Sequence, residues 1–114
     1  FLRHIKNCQA LMYVLHLPEE VIFDPQLTEK AQAELLWQQY QDLRGELKTY
    51  DSALISKPRL LTINKLDLYT TKQIETFRSY FRQKKENVIV FSGFTGEKLR
   101  EVTVALAQLG FLTV

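Results

Sequence analysis

The chain has 114 residues, 46% of them hydrophobic and 25% charged, enough apolar side chain for one soluble domain with a single core. Fifteen Lys and Arg against thirteen Asp and Glu leave a net charge of +2, too small for charge alone to argue nucleic-acid or membrane binding. One cysteine, Cys8, excludes an intramolecular disulfide and fits a reducing compartment. The longest apolar run, Ala10 to Leu17, is too short to span a membrane and holds His16. No signal-peptide pattern opens the sequence. Residue 1 is Phe and the only Met is Met12, which reads as a processed, truncated or excised chain.

Phe1 to Gln9 carries Leu2, Ile5 and Cys8 at helical spacing and predicts a first helix. Leu11 to Leu15 then predicts a short buried strand. Pro18 and the Asp24-Pro25 pair mark a loop. Thr28 is placed as the N-cap of a long helix, with Glu29 in its first turn. Leu36, Tyr40, Leu43 and Leu47 form one buried stripe on that helix. Lys57-Pro58 marks a stop, and Leu60 to Ile63 predicts a second strand. Thr70 and Gln73 match a capping box opening a helix whose Ile74, Phe77 and Phe81 share a face. Val88 to Phe91 predicts the third strand. The last helix should turn Leu99, Val102, Leu106 and Leu109 inward and stop at Gly110. The sum is α-β-α-β-α-β-α, an α/β fold with a parallel sheet between two helical layers.

In such a sheet ligands bind beyond the carboxyl ends of the strands, so the chemistry should follow Leu15, Ile63 and Phe91. After the second strand stands Asn64-Lys65-Leu66-Asp67. An Asp here can accept both the N1–H and the N2–H₂ of guanine. Adenine offers neither donor on that edge and would leave a desolvated carboxylate without a partner. Lys65 can lay its methylene stem along a flat base with its ammonium in water. Asn64 can tie the neighbouring loops together and reach the O6/N7 edge. Read alone, these four residues also fit an ordinary polar loop. Their position after a buried strand resembles the guanine-reading motif of P-loop GTPases.

After the third strand stands Ser92-Gly93-Phe94-Thr95-Gly96-Glu97-Lys98-Leu99, which resembles the Ser-Ala-x-Thr-Gly-Glu-Gly-Leu element of the same GTPases. There a backbone N–H meets guanine O6. Gly93 stands where Ala is usual and keeps that donor while loosening the loop; Lys98 stands where a second Gly is usual. The plainer alternative is that Thr95 caps the last helix and Gly96 turns the chain. His16 reads as a strand-end residue, His4 as a helix residue without metal-ligand spacing, and Cys8 as a small core residue. Arg82 to Lys85 reads as a cationic helix end.

Three stretches together resemble the Obg family of GTPases: Phe1-Leu2-Arg3-His4-Ile5, the run Tyr40-x-x-Leu43-x-x-Glu46-Leu47-x-x-Tyr50 with Leu54 and Lys57-Pro58, and the two loops above. The departures are His16 and Leu17 to Phe23, where the family tends to read Asp-x-Ser. The resemblance implies a cytoplasmic GTPase that binds GTP/GDP with Mg²⁺, works in ribosome assembly as a stress-linked switch and associates with the large ribosomal subunit. It implies that residues 1–114 are the C-terminal part of the GTPase domain, a partial P-loop fold lacking its N-terminal strands. The site residues it implies are Asn64, Lys65, Asp67, Ser92, Gly93 and Phe94, with no catalytic or metal-binding residue. Nothing in the sequence matches Gly-x-x-x-x-Gly-Lys-Ser/Thr, the loop that places Lys and Mg²⁺ on phosphates. The chain alone is therefore expected to lack GTPase activity and to bind nucleotide weakly, with the Mg²⁺ ligands lying elsewhere. Its first strand is expected to form an apolar edge prone to self-association. The alternative is a non-catalytic interaction module that keeps part of the fold.

Overall fold

The computed structural model describes residues 10–108. The helix predicted over 1–9, with His4 and Cys8, and the Leu109 and Gly110 helix end lie outside the described residues. The strands are β1 (Leu11–Leu15), β2 (Arg59–Ile63) and β3 (Val88–Val90). The helices are α1 (Glu19–Ile22), α2 (Glu29–Tyr50), α3 (Thr71–Gln83) and α4 (Leu99–Gln108), with short 3₁₀ turns at Ser52–Ser56 and Leu66–Leu68. The sheet is open and wholly parallel, ordered β1-β2-β3.

The caps behave as the sequence predicts. Thr28 accepts a hydrogen bond from the Ala31 amide at 3.1 Å. Thr70 and Gln73 close a full capping box, with bonds of 3.1 and 2.8 Å. At the other end of α3, the Glu86 amide donates to the Phe81 carbonyl and the Lys85 amide to that of Arg82, both at 2.9 Å. Lys85, at φ 65°, takes the left-handed position that ends a Schellman motif.

Register places Tyr13, Leu61 and Val88 in one row across the sheet and Leu15, Ile63 and Val90 in the next. These residues pack on Ala33, Leu36 and Tyr40 of α2 and Phe77 and Phe81 of α3. Both crossovers step the same way along the sheet, and right-handed connections then bring both helices to the same face. Rings meet there edge to face, Tyr13 on Tyr40 at 5.0 Å and Trp37 on Phe81 at 5.3 Å. On the opposite face Thr62 is fully buried and its hydroxyl donates to the Tyr13 carbonyl at 2.9 Å. Helix α4 packs against β2, and its buried Val102 stands apart from the first cluster. Cover is thinner over β1, where Val14 is 45% exposed.

Two details correct the sequence reading. Helix α1 lies inside the segment predicted to be loop, where Pro18 serves as its N-cap. Four residues are too few to show a period. In α4 only Val102 is fully inward: Leu106 is half-buried and Leu99 is 38% exposed. Leu99 sits in the first turn, beside the Gly96 bend, whose carbonyl accepts its amide at 3.2 Å.

Candidate functional site

The loops after β2 and β3 meet at the carboxyl end of the sheet and interlock through side chains. The Asn64 amide continues the ladder to the Leu15 carbonyl at 2.8 Å, and the Leu66 amide reaches the Phe91 carbonyl at 2.9 Å. Asn64 Oδ1 accepts from its own neighbour, the Lys65 amide, at 2.7 Å and from the Gly93 amide at 2.9 Å. Asp67 Oδ1 accepts from the hydroxyl of the fully buried Ser92 at 2.7 Å. Ser92 Oγ in turn accepts from the Thr95 amide at 3.0 Å. Two hydrogen-bonded pairs, Asn64 with Gly93 and Asp67 with Ser92, thus tie the two loops together. Asn64, Lys65, Asp67 and Phe94 line a cleft of about 430 Å³.

Lys65 has φ 77°, a left-handed backbone that costs an L-residue about 1–2 kcal/mol. Its amide on Asn64 Oδ1 helps hold it there. Its ammonium is not free in water as the sequence reading has it: Nζ donates to the Leu17 carbonyl at 3.0 Å. The loop after β1 lies close enough for the long stem to span the gap. The Gly93 amide donates to Asn64 Oδ1, the acceptor within its reach. A Cβ on Gly93 would meet Asn64 Nδ2 at 3.6 Å and Oδ1 at 3.7 Å, ordinary contact, so the more usual Ala fits. Lys98 has φ 65°, which gives the usual Gly at that position its physical reason.

The loop after β1 is fixed by residues that no motif singles out. Gln39 uses both ends of its amide on the His16 backbone, accepting at 3.0 Å and donating at 3.2 Å. His16 itself directly follows β1 and is exposed. Gln32 donates to the Val21 carbonyl at 2.8 Å, and Gln73 donates to the Ile22 carbonyl and to Gln32 Oε1 at 3.1 and 3.0 Å. Buried Tyr69 donates from its hydroxyl to the Asn64 carbonyl at 2.6 Å, bracing the loop after β2. Burial pushes this phenol up to about 12, against a hydrogen bond from the Leu17 backbone that lowers it, with the Asp67 charge adding to the rise. So held, the β1 loop brings Glu19 to the cleft wall, joined by Leu68 from beside the motif. The sequence signals neither, since the contacts link segments far apart in the chain.

The site offers an exposed carboxylate, an amide side chain, an aliphatic stem and an exposed ring around one cleft. That set suits a flat ligand bearing N–H donors on an edge. Among the described residues no group of three or more His, Cys, Asp or Glu could hold a metal ion. No helix of the described residues is long and apolar enough to cross a membrane.

No family model matches the chain. Among curated proteins, it is 29% identical over 109 residues to GTPase Obg of Coprothermobacter proteolyticus, covering 96% of this chain and 23% of that protein. It is 32% identical over 110 residues to human mitochondrial ribosome-associated GTPase 2, again 96% of this chain and 23% of the relative. GTPase Obg of Fervidobacterium nodosum matches at 27% over 107 residues. Fold, site and matches together define an α/β chain related to a portion of proteins named as GTPases. More narrowly, the chain is similar to GTPase Obg and to mitochondrial ribosome-associated GTPase 2, and it spans about a quarter of the length of these relatives.

Proposed function

We propose that the chain is the guanine-reading, C-terminal part of an Obg-type GTPase domain. In this reading Asp67 accepts the two N–H groups of guanine, Asn64 and Gly93 serve the O6/N7 edge, and Lys65 supports the ring. Ser92 fixes the Asp67 carboxylate, and Phe94 completes the cleft. The observation that carries the proposal is the double tie between loops: Asn64 to Gly93 at 2.9 Å and Asp67 to Ser92 at 2.7 Å. It joins the two GTPase-like motifs into one wall with a carboxylate at the cleft.

The whole protein would bind GTP and GDP, with Mg²⁺ and the phosphates handled by residues other than those described, and hydrolyse GTP. Ribosome association in a cytoplasmic or organellar compartment is the corresponding cellular role. The open flank of β1 would receive the rest of the domain's sheet or, in the isolated chain, a second copy.

Calorimetry with GDP and ADP on the full-length protein carrying this chain tests the reading. Each hydrogen bond to a charged group contributes about 1.5–3 kcal/mol, so Asp67→Ala should lower the guanine preference at least tenfold. An unchanged preference would discard the site assignment.

A further inference from the structure

Charge is unevenly placed on this chain, although its sum is only +2. From Arg78 to Lys85 the sequence holds four cations, Arg78, Arg82, Lys84 and Lys85, and no acid. Arg78 and Arg82 stand one turn apart on the exposed side of α3, whose buried side is filled by Phe77 and Phe81. Lys85, also exposed, lies in the turn that closes the helix. Among the described residues none of these three cations enters an ion pair. Two neighbouring acids are already answered, Glu86 by Arg59 at 2.6 Å and Glu101 by Lys98 at 3.2 Å. Glu75, a turn before Arg78, is the one acid of α3 and makes no ion pair with it. Lys84 is held differently, its ammonium 5.8 Å from the centre of the Trp37 ring and 5.6 Å from that of Tyr80. The helix dipole favours cations in the last turn, which accounts for Arg82 but not for Arg78.

Resting on the ribosome association proposed above, we propose that this end of α3 docks on the phosphate backbone of duplex RNA through Arg78, Arg82 and Lys85. Guanidinium forks match phosphate oxygens, and about 6 Å of helix axis separates the two arginines, so each can take its own phosphate. Such contacts position a protein on a duplex without reading its sequence. Single strands are gripped by stacking on open rings, and here Trp37, Tyr80 and Phe81 are packed on one another. A helix that lies in a membrane surface inserts apolar residues, and those of α3 face the core.

The test is binding of the full-length protein carrying this chain to a short RNA duplex across a salt series. Each phosphate contact contributes about 0.9 to the slope of log K against log salt, so Arg78→Gln with Arg82→Gln should flatten that slope by about 1.8. Lys30→Gln with Lys48→Gln removes the same charge from exposed positions on α2 and should leave the slope in place. Both arginines are exposed and unpaired, so the unfolding midpoint and the GDP affinity of their variant should match wild type. No duplex binding by the wild type, an unchanged slope in the arginine variant, or equal flattening in the lysine variant would overturn the proposal. Sedimentation with ribosomes separates it from the reading it rests on. Wild-type cosedimentation with an unchanged duplex slope in the arginine variant would discard this surface and keep the association. No cosedimentation, with the slope flattened as expected, would keep the surface and discard the association. Capture of phosphatidylserine vesicles, abolished by the arginine substitutions and without duplex binding, would assign the surface to a membrane instead.

Discussion

At the scale of single residues, three lysines among the described residues carry positive φ: Lys65, Lys85 and Lys98. Lys85 takes the left-handed position of a helix end, where the geometry is part of the stop. Lys65 is held by its neighbours, and its side chain lines the proposed site. Lys98 has no such role; its ammonium meets Glu101 at 3.2 Å in a pair about half exposed, which is worth little. Lys98→Gly should therefore stabilise the fold by about 0.5–1 kcal/mol. The gain is the roughly 1–2 kcal/mol left-handed penalty less the extra entropy a Gly loses on folding. A denaturant titration would show it as a higher midpoint at unchanged slope, and a lower midpoint would mean that the Glu101 contact outweighs the strain. The sequence allowed the Lys98 departure to be noticed but not weighed, since nothing in a residue list states a φ. For the same reason Lys65 was expected to leave its ammonium in water. The carbonyl that takes it belongs to Leu17, forty-eight positions earlier in the chain.

At the scale of elements, periodicity and caps were legible because they are local. The stripe on α2, the Thr28 cap and the Thr70–Gln73 box each depend on residues a turn or two apart. What could not be read is the second use of the same residues. Gln73 closes the box with its Oε1, while its Nε2 donates to the Ile22 carbonyl and to Gln32 Oε1. Local rules treat Glu as an equal partner in a capping box. Here Gln73→Glu would remove a buried donor and set a carboxylate against two acceptor oxygens, so it should cost about 2 kcal/mol or more. Thermal or urea unfolding of that variant checks it; wild-type stability would show that the clasp between the helices contributes nothing. The clasp also explains why the segment 17–23, illegible by pattern, is nevertheless ordered against two helices. Its anchors are glutamines, which fit a helix surface anywhere and signal no position.

At the scale of the whole molecule, the sheet separates two polar regions. The carboxyl ends of the strands carry the candidate site. At the other end Arg59 pairs with Glu86 at 2.6 Å, and the Tyr40 hydroxyl donates to the same carboxylate at 3.3 Å. Burial, with the Glu86 charge adding to it, pushes Tyr40 up to about 12, and burial does the same to Tyr69 near the candidate site. Both phenols are held neutral in the fold and titrate near 10 when unfolded. Their contribution to stability is complete below pH 10 and is lost as pH rises toward 12. Unfolding midpoints measured from pH 8 to 12 should therefore be level at first and fall beyond pH 10. Tyr40→Phe should reduce that fall, and a decline of undiminished steepness in that variant would place its cause elsewhere.

The bond between Asn64 Oδ1 and the Gly93 amide changes how recognition must be counted. A base arriving at Gly93 does not meet an idle donor but one already engaged, so part of its binding is an exchange of partners with little net gain. On the proposed reading, affinity would then come mainly from contacts other than this edge. On the same reading the exchange would sharpen selectivity: a ligand that opened the Asn64 contact without replacing it would leave the two loops with fewer bonds than they have alone.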